Sequence, residues 1–467
     1  MFIQSFLATL FKYVKPKAKS MFPKHIFRAY DIRGKYPEEL SEQLMEDIGK
    51  SLGTMMAERG LKSVVIGMDI RWTSPPMAKA LKKGLLQAQA EIYDCGEASF
   101  GSAVYCAQHY GKDLTAYITP SHLPADHNGL KVFYGNGLSF MAEDFAELGK
   151  RTEEADWKLG EGVDGGELDA KAPYLKLITG QGFDCSGVKC VLDCGGAATV
   201  TSHPEAFKAL GMQVTELFCE KDPQLKVRDP KPTKETLGEL IKVTAEQGEG
   251  FGVGFDADGD RAVLVDETGN VLSADQTAAI VAKRLLEKEK GVIVATVECS
   301  MVAEDYLAPM GAEVIRVPVG HTFIMDAGKK HNALLGYEDS GHMVMPRIVL
   351  FDDPTFVVLS VAQAMKQEGK KLSELAAEVP LYPRKRVVVE LGDDKKFEAM
   401  KKLQEELPQQ YENTNTMDGV RIDFGDGWIL MRASNTEPVV RLTVEAKTQE
   451  RVDELAQKFS KVLEEAA

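Results

Sequence analysis

Short apolar runs alternate along most of the chain with stretches of helical spacing, and one order recurs three times. An apolar run leads through a polar loop into a helical stretch, then a small residue, then a second apolar run. In the first copy, runs at 64–69 and 90–93 flank a helix predicted around 77–87. In the second, 190–193 and 211–214 flank 204–210, and in the third, 292–295 and 311–314 flank 301–310. Strand-like runs separated by helices read as parallel α/β units, so three related α/β domains are expected. Beyond residue 383 the pattern changes. Strands at 387–391, 421–424, 428–432 and 439–446 follow one another closely, with helices at 395–406 and 450–465. Consecutive short strands joined by tight turns predict an antiparallel sheet with helices on one face.

Composition places the breaks. The glycine- and acid-rich stretch 159–168 reads as a linker, 267–270 as a hairpin turn and 379–384 as a junction. The expected domains are an N-terminal extension (1–22), α/β domains at 23–160, 161–273 and 274–382, and a C-terminal domain at 383–467. In the extension, Phe2, Phe6, Leu10 and Val14 keep helical spacing and four lysines follow within residues 12–19. That pattern suits a surface amphipathic helix, a flexible or body-packed extension is the favoured reading, and Met21 is an alternative start. No run is long enough for an integral membrane span.

A net charge of −15 argues against a nucleic-acid partner. Seven cysteines without a C-x-x-C pair read as free thiols in a reducing compartment, the cytoplasm. Nothing in the sequence assigns an oligomeric state.

Four stretches carry candidate chemistry. After the strand-like run 114–118, Ser121 and His122 stand between Pro120 and Pro124. Asn128-Gly129 reads as a tight turn before the next strand, which begins at Leu130 and carries Lys131. Such a loop would hold a hydroxyl beside an imidazole, although serine and proline are also ordinary loop residues. Next, Asp256, Asp258 and Asp260 alternate between two apolar runs, with Arg261 following. Clustered carboxylates favour a hard counter-ion, Mg²⁺ or Ca²⁺; the bland reading is a solvated acidic turn. An EF-hand is disfavoured, because Arg261 occupies the position that needs glycine and the flanks read as strands. Third, Glu338, Ser340, Gly341 and His342 combine groups suited to hydrogen-bonding sugar hydroxyls. Finally, Arg432, Ser434, Asn435 and Thr436 join two strands and suit phosphate oxygens. Arg28 and Arg33 add two guanidinium groups near the start, with Tyr30 between them. No Walker A or dinucleotide glycine pattern is present, and Asp423-Phe424-Gly425 lacks the partner motifs of a kinase.

In this order, the motifs resemble the α-D-phosphohexomutase family, particularly its phosphomannomutase/phosphoglucomutase enzymes, from about Phe27 to the C-terminus. The resemblance implies three related α/β domains with mixed sheets and a C-terminal α+β domain with an antiparallel sheet, arranged around a central cleft. It implies a phosphoserine at Ser121, which also faces the metal, and proton handling or charge stabilisation by His122, Lys131 and Arg261. Asp256, Asp258 and Asp260 would hold Mg²⁺. Tyr30, Arg33, His321, Glu338, Ser340, His342, Arg432, Ser434, Asn435 and Thr436 would meet the phosphosugar. The implied reaction moves phosphate between O6 and O1 of mannose or glucose through a hexose 1,6-bisphosphate. The competing functions are a phosphoglucosamine mutase, a sugar-phosphate phosphatase and a catalytically silent sensor. The chain departs from the family pattern at Leu123, at Ala257, at Asp339 in the variable sugar-loop position, and at Glu298, where some relatives carry a substrate-contacting lysine.

Overall fold

The recurring pattern resolves into four sheets, one for each of the units read above. The computed structural model describes residues 22–433 and 439–466. Residues 1–21 of the N-terminal extension, and Ser434, Asn435 and Thr436, therefore lie outside the described residues.

The first three sheets share a core topology. The first strand of each unit lies inside its sheet: Ser63–Met68, Lys189–Asp193 and Gly291–Thr296. The second pairs parallel on one side: Glu91–Glu97, Gln213–Leu217 and Ala312–Val317. The third pairs parallel on the other side: Leu114–Ile118, Phe251–Phe255 and Leu335–Tyr337. The fourth returns antiparallel to the third: His127–Tyr134, Ala262–Asp266 and Met343–Val344. Each sheet is therefore mixed. The parallel steps need helical crossovers, whereas the third and fourth strands are joined by a short loop. The C-terminal strands Arg384–Glu390, Val439–Ala446, Gly427–Ala433, Val420–Asp423 and Thr414–Asn415 form a wholly antiparallel sheet.

Three local expectations need correction. The stretch 159–168 is not only a linker, because Val163–Glu167 pairs parallel with Glu91–Glu97 at the edge of the first sheet. Its glycines and acids suit an edge strand exposed along its length. Asn128-Gly129 is not a turn. Both residues lie inside His127–Tyr134, which the strand Ile32–Lys35 flanks antiparallel. Glycine is needed there for close approach, since a Cβ at Gly129 would sit 2.1 Å from the Ile32 carbonyl oxygen. The buried Asn128 side chain donates to Thr73 Oγ1 at 2.8 Å and to Ser74 Oγ at 3.1 Å. Third, the expected helix at 301–310 is a π-helical turn, Ala303–Leu307, followed by a 3₁₀ turn, Ala308–Met310. Pro309 interrupts the α-helical pattern.

The hydrophobic interior divides unequally. One continuous core runs through the first three units, with Phe100, Phe133, Tyr174, Phe207, Phe255, Phe351 and Phe356 all buried. The C-terminal sheet has its own core around Leu403, Met431, Val444 and Phe459. A small cluster of Val297, Met301, Trp428 and Leu430 connects the third and fourth units. The fourth unit is thus the one joined to the rest by the least apolar packing.

Candidate active site

In each α/β unit, the loop between the third and fourth strands carries one of the motifs read from the sequence. These loops span 119–126, 256–261 and 338–342. Because the three cores share one topology, equivalent loops leave equivalent strand ends, and their packing brings the loops together.

The loop of the first unit holds Ser121 in a left-handed backbone conformation, φ 56°, with the residue 1% exposed. A non-glycine residue there stores strain and needs support from its surroundings. The support is a buried pair, Asp69 and Arg71, beyond the strand Ser63–Met68. Arg71 Nη2 donates to the carbonyls of Ser121 at 2.6 Å and Leu123 at 2.5 Å. Asp69 accepts from Thr119 Oγ1 at 2.8 Å and from Ser74 Oγ at 2.5 Å, and Thr119 Oγ1 accepts from the Ser121 amide at 3.0 Å. The sequence reading passed over Asp69 and Arg71 as the end of a strand. The only signal was two charged residues, close together, directly after an apolar run.

Ser121 Oγ points at the loop of the second unit. It accepts from Arg261 Nη2 at 3.0 Å, donates to Asp256 Oδ2 at 3.3 Å and lies 3.2 Å from His122 Nδ1. Burial and the neighbouring Arg261 charge hold His122 far below the ordinary histidine range, so its ring is neutral and Nδ1 accepts from Arg261. The flanks of the aspartate loop are strands and Glu267 turns to Ser373, so this is no EF-hand.

Asp256, Asp258 and Asp260 are fully buried, and one ligand oxygen from each falls within 4.8 Å of the others. Lys131 reaches across from the first unit, pairing with Asp258 Oδ2 at 2.7 Å and with Asp260 Oδ2. Burial alone would lower the Lys131 pKa, but those two charges raise it, so the side chain is a fixed cation. Arg261 pairs with Asp256 at 2.7 Å. Asp258 Oδ1 and Asp260 Oδ1 nevertheless remain without hydrogen-bond partners, and burial together with the Asp256 charge raises the Asp258 pKa. Buried carboxylate oxygens left unpaired cost free energy. Their number and hardness fit a divalent cation with oxygen coordination.

The loop of the third unit meets the second through a bridge between Arg261 and His342. Glu338 accepts from the Gly320 amide at 2.8 Å and from Ser340 Oγ at 2.6 Å. His342 Nδ1 lies 2.7 Å from Asp352 Oδ2 and 3.9 Å from Asp260. Although burial opposes it, the Asp260 and Asp352 carboxylates raise the His342 pKa to about 9. Asp352, which the sequence reading also missed, lies 3.1 Å from His321 Nδ1.

A cleft of about 910 Å³ lies between these loops and the C-terminal sheet. Its lining includes His122, Arg261, Glu338, Ser340, His342 and Arg432, and Lys231, Glu298, Arg386 and Arg441 add charge. Arg432 lies 3.0 Å from Asp418 and 3.6 Å from Glu298. Tyr30, Arg33 and His321 are not brought to this lining. Tyr30 donates to the Val319 carbonyl at 3.2 Å, with its ring edge-on to His321, and so clasps the first unit to the third. Arg33 is paired with Asp31 at 2.6 Å.

The sequence matches the four domain families of phosphoglucomutase/phosphomannomutase. These are α/β/α domain I over residues 24–158, domain II over 172–269, domain III over 273–382 and the C-terminal domain over 386–462. A phosphoglucomutase/phosphomannomutase of Thermococcus kodakarensis is 31% identical over 94% of this chain and 99% of its own length. A probable phosphoglucosamine mutase of Methanopyrus kandleri is 31% identical over 93% and 96%. Among solved structures, a phosphoglucomutase/phosphomannomutase family protein from Burkholderia thailandensis superposes with a TM-score of 0.89. It is 26% identical and covers 96% of this chain and 98% of its own. With all four domains matched in order around one cleft, the chain belongs to the phosphoglucomutase/phosphomannomutase family of α-D-phosphohexomutases and is an intramolecular phosphotransferase.

Proposed function

We propose that the enzyme interconverts hexose 6-phosphate and hexose 1-phosphate through a phosphoserine at Ser121 and a hexose 1,6-bisphosphate. The observation that carries this reading is the setting of Ser121 Oγ. It lies within 3.3 Å of Arg261, His122 and Asp256, beside a triad of buried carboxylates. In the forward half-reaction the P–O bond to Ser121 breaks as a bond forms to the free sugar hydroxyl, whose proton passes to a base. His122, whose Nδ1 accepts from Arg261, and Lys131, held charged, serve charge stabilisation, and the base that takes the proton is water in the cleft. In the second half, the other phosphoryl group of the bisphosphate returns to Ser121. Arg261 stabilises charge on the transferring group, and Arg432 on the far side of the cleft holds the phosphate that does not react. Glu338 and Ser340 hold hydroxyls available in both sugar orientations. Asp256, Asp258 and Asp260 would hold Mg²⁺, which when bound would neutralise charge on the phosphoryl oxygens. The free cysteines favour a reducing compartment, the cytoplasm. For the sugar, mannose or glucose is one reading; glucosamine phosphate is the second, favoured by Glu298 in the cleft.

The test is transfer of label. Hexose 1,6-bisphosphate carrying labelled phosphate should label Ser121, and unlabelled monophosphate should chase the label off as bisphosphate. Ser121→Ala should fold, take no label and lose turnover by orders of magnitude. Label on another residue would overturn the Ser121 assignment. Loss of label only as inorganic phosphate would replace the mutase reading with a phosphatase.

A further inference from the structure

One partly buried acid of the cleft, its side chain 22% exposed, has no part in the phosphoryl transfer described above. Glu298 lies in the turn after Gly291–Thr296 and lines the cleft with Glu338, Ser340 and Arg432. Its charged partner among the described residues is Arg432, at 3.6 Å, beyond hydrogen-bond distance. Arg432 is held more closely by Asp418, at 3.0 Å. Glu338 cannot relieve Glu298, since its own oxygens are engaged by Gly320 and Ser340 and its charge has the same sign. Burial, reinforced by the charges of Glu338 and Asp339, raises the Glu298 pKa to about 7. The carboxylate is therefore poorly compensated as it stands.

Substrate makes this worse. A phosphate on Arg432 draws the guanidinium from Glu298 and brings further negative charge into the same cleft. A neutral sugar hydroxyl can donate a hydrogen bond to Glu298 but cannot cancel its charge. An ammonium group does both, and charge-assisted hydrogen bonds are the stronger class. We infer that Glu298 is a specificity-determining residue that selects an amino-sugar phosphate, through its ammonium group, over a neutral hexose phosphate. This rests on the phosphohexomutase reading and gives it a substrate class.

The test compares kcat/KM for glucosamine 6-phosphate, glucose 6-phosphate and N-acetylglucosamine 6-phosphate. The last carries bulk on the nitrogen without charge. The wild-type enzyme should favour glucosamine 6-phosphate by about tenfold or more over both others, and Glu298→Gln should reduce that ratio by about tenfold. Glu298→Asp should keep most of it. A wild-type enzyme without preference for the amine overturns the inference even if no variant folds. So does a Glu298→Gln ratio unchanged within about twofold, or an equal fall for all sugars, which is what loss of support for Arg432 would produce. Calorimetric binding of glucosamine 6-phosphate and glucose 6-phosphate to wild type and Glu298→Gln, run beside the Ser121 labelling, separates two failures. Absent labelling with an amine preference that depends on Glu298 defeats the mutase reading alone. Labelling without that preference defeats the role of Glu298 alone.

Discussion

Arg71 lines no part of the cleft, yet its replacement should disable the enzyme. Its side chain is fully buried, joins Asp69 and donates to the carbonyls of Ser121 and Leu123. Arg71→Met keeps an apolar stem but removes every donor. The buried Ser121 carbonyl and the partly buried Leu123 carbonyl then lose a partner, at about 1–3 kcal/mol each at most, and Asp69 becomes an uncompensated buried charge, at about 3–5 kcal/mol. These contributions overlap, so a local penalty on the order of 5 kcal/mol is expected. That exceeds the roughly 1–3 kcal/mol stored in a left-handed residue such as Ser121. The loop should therefore relax rather than keep its shape, and displacement of Oγ by about 1 Å would lower kcat by about a hundredfold. KM for a hexose phosphate should change by less than about threefold, because Glu338, Ser340 and Arg432 are untouched. Adding Asp69→Asn should recover stability, by removing the stranded charge, without recovering kcat. Steady-state kinetics with thermal unfolding of the single and double variants provide the measurement. An Arg71→Met enzyme with kcat within about threefold of wild type would refute the reasoning.

Asp258→Asn should weaken Mg²⁺ binding by about tenfold or more and lower turnover, since one buried anionic ligand is lost; full activity of this variant in EDTA would defeat the metal assignment. Bisphosphorylated sugar should draw the C-terminal unit, which has its own core, toward the other three; compaction in small-angle scattering checks this, and ligand binding with unchanged distances between labels on the first and fourth units would count against it. Burial raises the Asp353 pKa to about 6. Between the unfolded value near 4 and this folded value, the native state binds the extra proton, so its contribution is present at low pH and is lost as pH rises. Asp353→Asn should therefore gain stability relative to wild type between pH 4 and 7, by about 3 kcal/mol; parallel unfolding curves across that range would refute the assignment.

The sequence by itself determined the central strands, the helices around 77–87, 204–210, 395–406 and 450–465, and the three-fold repetition of the α/β unit. Apolar periodicity is a local property and survives without knowledge of neighbours. It also marked the serine, aspartate and sugar loops, because clustered polar residues between apolar runs are conspicuous in one dimension. Where a residue's reason was a distant neighbour, the local reading erred. Gly129 looked like a turn residue, but its missing side chain makes room for the Ile32 carbonyl. Residues 163–167 looked like linker, but the edge of Glu91–Glu97 gives their backbone a partner. Tertiary structure alone decided that Lys131 reaches Asp258 and Asp260 from another unit, that Arg261 meets Ser121 Oγ, and that Asp352 serves two histidines. It also decided that Asp69 and Arg71 hold the serine loop. Apart from Asp352 with His342, these are pairings between residues more than 30 positions apart. They depend on how folded units pack, and no periodicity in the chain encodes them.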